Sequence, residues 1–331
     1  MLGHGAHLRP IRATDVEIDY PAVMGSRERL WAKYGRAWGW PPATMTLEQD
    51  RRDLEHHEHE IATQQSFNYA VLDEHESALL GCVYIDPAPD SWDSDALVSW
   101  WVVDGCVGTS LQAELDRFVP AWVTSVWPFC RPALELDTPH GPARAHLRVA
   151  KRPVGAVLLG HGAGGGVEAP DLVAAARAAQ ASDMTVALVE QPYLVAGRRT
   201  QPPAGRLDES WLAAVTTLRE AIFEEAPLVV GGRSAGARVA CRTAAEAGAG
   251  AVLCLAFPLH PPGNAARSRL EELDAVQVPV LVIQGERDPF GIPPPGPRRT
   301  VVRVPGSHSL KSTNAIETAV SDWLATLLTR T

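Results

Sequence analysis

Residues 231–240, GGRSAGARVA, hold a serine in a glycine-spaced pentapeptide: Gly232, Arg233, Ser234, Ala235, Gly236. The apolar run PLVVGG (227–232) precedes it, and helix-forming text, AGARVACRTAAEA (235–247), follows. G-x-S-x-G in that setting predicts a sharp strand-to-helix turn that lifts the serine hydroxyl above the carboxyl edge of a sheet. The flanking glycines admit the tight backbone packing such a turn needs. The Ala235 N–H, at the helix start, is then aimed at negative charge developing on a bound oxygen.

The surrounding text alternates in the same way. Strands are expected at 154–160, 184–190, 227–232, 250–257, 279–285 and 300–305. Helices are expected at 171–181, 208–225, 235–247, 268–276 and 314–330. The strands are continuously apolar, which is the pattern of a parallel sheet covered on both faces. Only a short helical segment separates CLAFPLH (254–260) from PVLVIQG (279–285), so no large lid is expected.

A serine hydroxyl is a weak nucleophile without a base. After an elbow of this kind the partners follow in the order serine, acid, histidine, each past a strand end. VLVIQGERDPFG (280–291) offers Asp288, with Glu286 as a rival nearer the strand, and VVRVPGSHSL (301–310) offers His308. Asp288 would hold the imidazole tautomer, and His308 would take the Ser234 proton and return it to a leaving group.

LLGHGAGGG (158–166) admits two readings. Gly160, Gly162 and Gly165 spell G-x-G-x-x-G, a dinucleotide cradle, and Glu190 at the end of the next strand mimics a ribose-binding acid. The cradle requires its helix to open at the glycines, whereas helix-forming text here starts near Pro170 or Asp171. It also leaves Ser234, Asp288 and His308 unexplained. The alternative is an oxyanion loop, with its N–H supplied by Ala163 or Gly164. Arg233, His260 and Tyr193 are candidate substrate contacts, with a structural salt bridge as the rival role for Arg233.

Composition narrows the partners. The chain has 331 residues, a formal net charge of −9, 46% hydrophobic and 21% charged residues. That is a globular, mildly acidic protein, which disfavours nucleic acid and anionic membrane surfaces as partners. Five scattered cysteines without CxxC pairs argue against a disulfide framework, and neither a signal peptide nor a membrane helix is expected. A cytoplasmic location is the resulting expectation. Eight of the ten tryptophans lie in the first part, and a domain boundary is placed near residue 135, giving domains 1–134 and 135–331.

The first part is expected to be α+β with a mainly antiparallel sheet. A long helix is expected over 46–65, paired strands over 67–87, a strand over 95–104 and a helix over 109–123 interrupted or ended near Pro120. LEHHEHEI (54–61) lacks H-E-x-x-H and is taken as a solvated charged helix face, so no metal site is expected.

From about residue 135 onward the chain resembles the KANL/Tex-like branch of the alpha/beta-hydrolase family. The carriers are DTPHGPARAHL, LLGHGAGGG, GGRSAGARVA, CLAFPLHPPG, VLVIQGERDPFG and PGSHSL. The resemblance implies an alpha/beta-hydrolase fold with Ser234, Asp288 and His308 at the catalytic positions and no cofactor. The branch also includes non-enzymatic components of chromatin complexes. Residues 6 to about 132 resemble a GNAT-type N-acetyltransferase domain through LRPIRATD (8–15), ALLGCVYIDP (78–87) and LVSWWVVD (97–104). That family holds acetyl-CoA pyrophosphate in an Arg/Gln-x-x-Gly-x-Gly/Ala loop between the fourth strand and its helix. Here the stretch is VVDGCVGTSLQAEL (102–115), which keeps Gly108 before a helix capped by Thr109 or Ser110 but lacks the Arg or Gln and the second small residue.

The leading expectation is a serine hydrolase acting on a small-molecule or acylated substrate that is an ester, thioester or amide. The alternatives are an acetyl-CoA-dependent acetyltransferase, a non-catalytic interaction protein and a nicotinamide-dependent oxidoreductase.

Overall fold

In the computed structural model, residues 5–224, 226–264 and 266–329 are described. Residues 225 and 330, the last of two expected helices, lie outside them. The chain divides into two compact units, Met1–Leu136 and Asp137–Thr331.

The first unit holds strands β1 (His7–Pro10), β2 (Phe67–Leu72), β3 (Leu79–Asp86), β4 (Ala96–Val102) and β5 (Pro132–Leu136). Its helices are α1 (Val16–Gly25), α2 (Arg27–Trp38), α3 (Leu47–Ala62) and α4 (Ser110–Val126). The strands lie in sequence order; β1 to β4 are antiparallel, and β5 runs parallel to β4 through Ala96↔Pro132 to Val98↔Leu134. The first three helices pack one sheet face around Leu30, Tyr34, Leu54 and Trp101. Helix α3 starts on a capping box: the Gln49 N–H donates to Thr46 Oγ1 and the Thr46 N–H to Gln49 Oε1.

Helix α4 does not stop at Pro120. The proline removes one backbone donor. Leu115, Val119 and Val123 are nevertheless fully buried on one stripe, and that packing carries the helix to Val126.

The second unit holds β6 (Ala143–Arg148), β7 (Gly155–Gly160), β8 (Met184–Glu190), β9 (Leu228–Arg233), β10 (Ala251–Leu255), β11 (Val280–Gly285) and β12 (Arg299–Val304). Its helices are α5 (Pro170–Ala181), α6 (Pro192–Val195), α7 (Ala204–Ile222), α8 (Ala235–Thr243), α9 (Leu270–Asp274) and α10 (Thr313–Leu328). Strand order is β6-β8-β7-β9-β10-β11-β12, parallel throughout except for antiparallel β6. One face, through Val157, Leu159, Leu253 and Ile283, packs on α5 and α10. The alanines of α5, among them Ala175 and Ala179, are buried and let that helix approach closely. The opposite face carries α7 and α8, with Trp211 of α7 buried against Gly160.

Neither β5 nor β6 was expected from the sequence. PALEL and ARAHLR are short and mix charge with apolar residues, so periodicity does not mark them.

Candidate active site

The elbow occupies the junction of β9 and α8. Ser234 has φ +53° and ψ −104°, a backbone conformation that costs a non-glycine residue about 1–3 kcal/mol. Packing holds it there. The Ser234 N–H donates to the Leu255 carbonyl of the neighbouring strand at 2.8 Å. A Cβ on Gly232 or on Gly236 would each lie 2.3 Å from the Gly160 carbonyl oxygen, so both glycines of the motif are needed for β7 and the elbow to touch.

Three loops converge on the serine. His308 Nε2 lies 3.0 Å from Ser234 Oγ, and His308 Nδ1 lies 2.9 Å from Asp288 Oδ2. The Asp288 side chain is buried and has two further donors: Gln284 Nε2 to Oδ2 at 2.8 Å and the Phe290 N–H to Oδ1 at 2.9 Å. Gln284, fully buried at the end of β11, also donates to the carbonyls of Phe257 and Gly291. The Phe290 ring meets the His308 ring edge-on at 4.5 Å. Glu286, the rival acid, is exposed.

The glycine loop after β7 crosses the elbow. A Cβ on Gly162 would lie 3.7 Å from Ser234 Cβ. His161, buried in the loop, accepts from the Gln191 N–H at Nε2 (3.0 Å), so Nδ1 carries the proton and donates to the Gly162 carbonyl at 2.8 Å. In a trans peptide C=O and N–H point opposite ways, so the Ala163 N–H is turned away from His161. Tyr193 braces the same loop. Its hydroxyl donates to the Ala163 carbonyl at 3.3 Å, its ring lies 5.6 Å from that of His161, and burial pushes its pKa up to about 12. Gly164 is exposed. The Ala235 N–H opens α8, and first-turn N–H groups have no partner within their helix.

The remaining candidates sit as follows. Arg233 is ion-paired: Nε donates to Asp171 Oδ2 at 2.8 Å and Nη2 to the His308 carbonyl at 3.4 Å. That ion pair is the arrangement weighed against substrate contact, and the side chain stays partly exposed. Burial raises the Asp171 pKa, with Arg233 pulling against it. His260 is tied to the loop behind Asp288, its N–H donating to the Phe290 carbonyl. In the first unit, Gly108 (φ +73°), Thr109 and Ser110 lie between β4 and α4, and the Gly108 N–H donates to Gln112 Oε1 at 2.7 Å.

The dinucleotide reading does not hold. Helix α5 opens at Pro170, after the glycines, and Glu190 lies beside Arg144 at 3.2 Å and His146 at 3.3 Å. Burial opposes the Glu190 charge, but these partners outweigh it and leave the carboxyl below its ordinary range. Sequence reasoning missed Gln284, Asp171 and His161. A polar residue ending the apolar run VLVIQG was a usable signal for Gln284, because a buried amide requires partners.

Residues 153–322, just over half of the chain, match the model of the alpha/beta hydrolase domain family, and the chain belongs to that family. No curated protein matches it in sequence. Among solved structures, Est1E from Butyrivibrio proteoclasticus is 15% identical with a TM-score of 0.50, over 60% of this chain and 99% of that one; the likeness is one of fold. A lid-less a/b serine hydrolase from Xanthomonas campestris is 24% identical with a TM-score of 0.47, over 58% of this chain and 94% of that one.

The contact between Gly236 and the Gly160 carbonyl generates a test. Gly236→Ala forces β7 and the elbow apart, and it is expected to lower stability by about 1–3 kcal/mol, the usual range for overpacking. Chemical denaturation of the two proteins measures the difference.

Proposed function

We propose that this chain is a serine hydrolase that cleaves a carboxylic ester, thioester or amide through an acyl-enzyme on Ser234. The observation that carries the reading is the continuous hydrogen-bonded chain Ser234–His308–Asp288, at 3.0 and 2.9 Å, on a strained elbow. His308 Nε2 takes the proton as Ser234 Oγ attacks the carbonyl carbon. The tetrahedral oxyanion is met by the Ala235 N–H and an N–H of the loop at Ala163 or Gly164. On collapse His308 protonates the leaving alcohol, thiol or amine, and the same histidine then activates water to release the acid. Asp288 keeps the Nδ1 proton in place and offsets the imidazolium charge. No cofactor enters these steps.

Within the family we assign the unit to the KANL/Tex-like branch, on Arg233 in the elbow, PLHPPG (258–263) and ERDPFG (286–291). We also take the first unit as GNAT-like in fold, on its four antiparallel strands, the parallel fifth and the loop between the fourth strand and its helix. That loop does not fit the pyrophosphate of acetyl-CoA. The Gly108 N–H is already given to Gln112, and no Arg or Gln stands in register. No acetyl transfer is therefore routed through it.

A fluorescent fluorophosphonate tests the reading without a known substrate. Wild type is expected to label, and Ser234→Ala and His308→Ala to lose labelling while keeping their circular dichroism. Failure of folded wild type to label would refute it. Gln284 generates a second expectation. Gln284→Leu removes a buried hydrogen bond to the Asp288 carboxyl, of a kind worth about 1.5–3 kcal/mol, together with those to the Phe257 and Gly291 carbonyls. The labelling rate should fall by about tenfold or more, with folding retained.

A further inference from the structure

Cys241 and Cys254 stand thirteen positions apart without a CxxC spacing, and the fold brings their sulfurs to 3.5 Å. Both are free thiols, 4% and 0% exposed. The other three cysteines, Cys82, Cys106 and Cys130, lie in the first unit. The hydrolytic reading uses neither thiol of the pair.

The pair sits at the root of the elbow. Cys241 is on α8, the helix that starts directly after Ser234. Cys254 is on β10, where it lies opposite Gly232 in the ladder with β9. The carbonyl of the next residue, Leu255, accepts the Ser234 N–H at 2.8 Å. Each thiol therefore belongs to one of the elements that hold the serine in its strained conformation.

The second observation is a route to the pair. A cavity of about 490 Å³ beside α8 and α9 is lined by Cys241, with Arg242, Glu272, Ala275 and Val276. Cys254 is not among the lining residues. Its hydrogen bond with Cys241, together with burial, pushes the Cys254 thiol above its ordinary range, so it keeps its proton. One sulfur thus faces a space that a small solute can enter, and the other stands next to it. That is the arrangement of an attacking thiol and a resolving one.

We infer that Cys241 and Cys254 form an oxidation site, closed by hydrogen peroxide into a disulfide that links α8 to β10 and slows the chemistry at Ser234. The Cys241 sulfur attacks one peroxide oxygen, the O–O bond breaks and water leaves, which makes Cys241 a sulfenic acid. The Cys254 sulfur then attacks the Cys241 sulfur, the S–O bond breaks, and a second water leaves with the Cys254 proton. Two thiols are oxidised, and both peroxide oxygens end as water. A disulfide holds its sulfurs at about 2.05 Å, so they close by about 1.5 Å. Side-chain rotation takes up part of that distance, and α8 and β10 take up the rest. A misplacement of about 1 Å at a reacting group costs up to about 100-fold in rate. The effect on Ser234 rests on the hydrolytic reading, whereas the link itself does not.

Treating the full chain with hydrogen peroxide, then mapping its peptides by mass spectrometry without reduction, tests this. A linked Cys241–Cys254 peptide pair is expected, and dithiothreitol should release it. Fluorophosphonate labelling should slow about tenfold after peroxide and recover with dithiothreitol. Cys241→Ala, its fold checked by circular dichroism, should label at the wild-type rate and keep that rate through peroxide. Both thiols left free in oxidised wild type, or Cys241 taken to a sulfinic acid with Cys254 still free, would overturn the site. Linked protein that labels as fast as untreated protein would overturn the control of Ser234. Absence of labelling before any oxidation counts against the hydrolytic reading, whereas absence of the linked peptides counts against the thiol site.

Discussion

The site depends on one backbone contact. Gly232 and Gly236 both press on the Gly160 carbonyl, at a separation no Cβ tolerates. That contact joins the end of β7 to the start of α8 and sets the height of Ser234 above the sheet. It also sets the glycine loop over the elbow, because the loop leaves from the same residue. The strain at Ser234 is stable because its N–H is tied to β10 and its flanks are pinned to β7. Loops then bring His308 and Asp288 to a serine already in position.

The sequence carried this much because each element of the site has a local cause. A nucleophile elbow needs glycines at fixed offsets, and strand-to-helix text on either side is visible to periodicity. The continuously apolar strands β7 to β11 announce a parallel sheet covered on both faces. What stayed hidden has long-range causes. The partner of Arg233 is Asp171, sixty-two positions away, and neither residue signals the other. Gln284 acts through geometry that only the folded 284–291 turn creates. Strands β5 and β6 are defined by their neighbours rather than by a pattern of their own. Helix α4 passes through Pro120 because its apolar stripe is buried, which local propensity does not register.

The buried charges of the second unit form a supporting frame. Arg233–Asp171 fastens the elbow to α5, and the same guanidinium reaches the carbonyl of His308. Arg144, His146 and Glu190 make a separate cluster between β6 and β8. Breaking such a pair on one side leaves a charge buried and uncompensated, which is more damaging than the pair's net contribution suggests. The frame thus fixes geometry more than it adds stability.

Two histidines in one unit illustrate how partners assign roles. Burial lowers the pKa of His161 and keeps it neutral. With the Gln191 N–H on Nε2 and the Gly162 carbonyl on Nδ1, its proton has one place to be. A second proton would face a backbone N–H across 3.0 Å, so His161 is a fixed strut for the glycine loop. His308 has the opposite environment. One nitrogen faces a carboxylate that welcomes positive charge, and the other faces a hydroxyl with a proton to give. The difference comes from which atom each ring nitrogen meets, and it fits a support at His161 and the base proposed at His308.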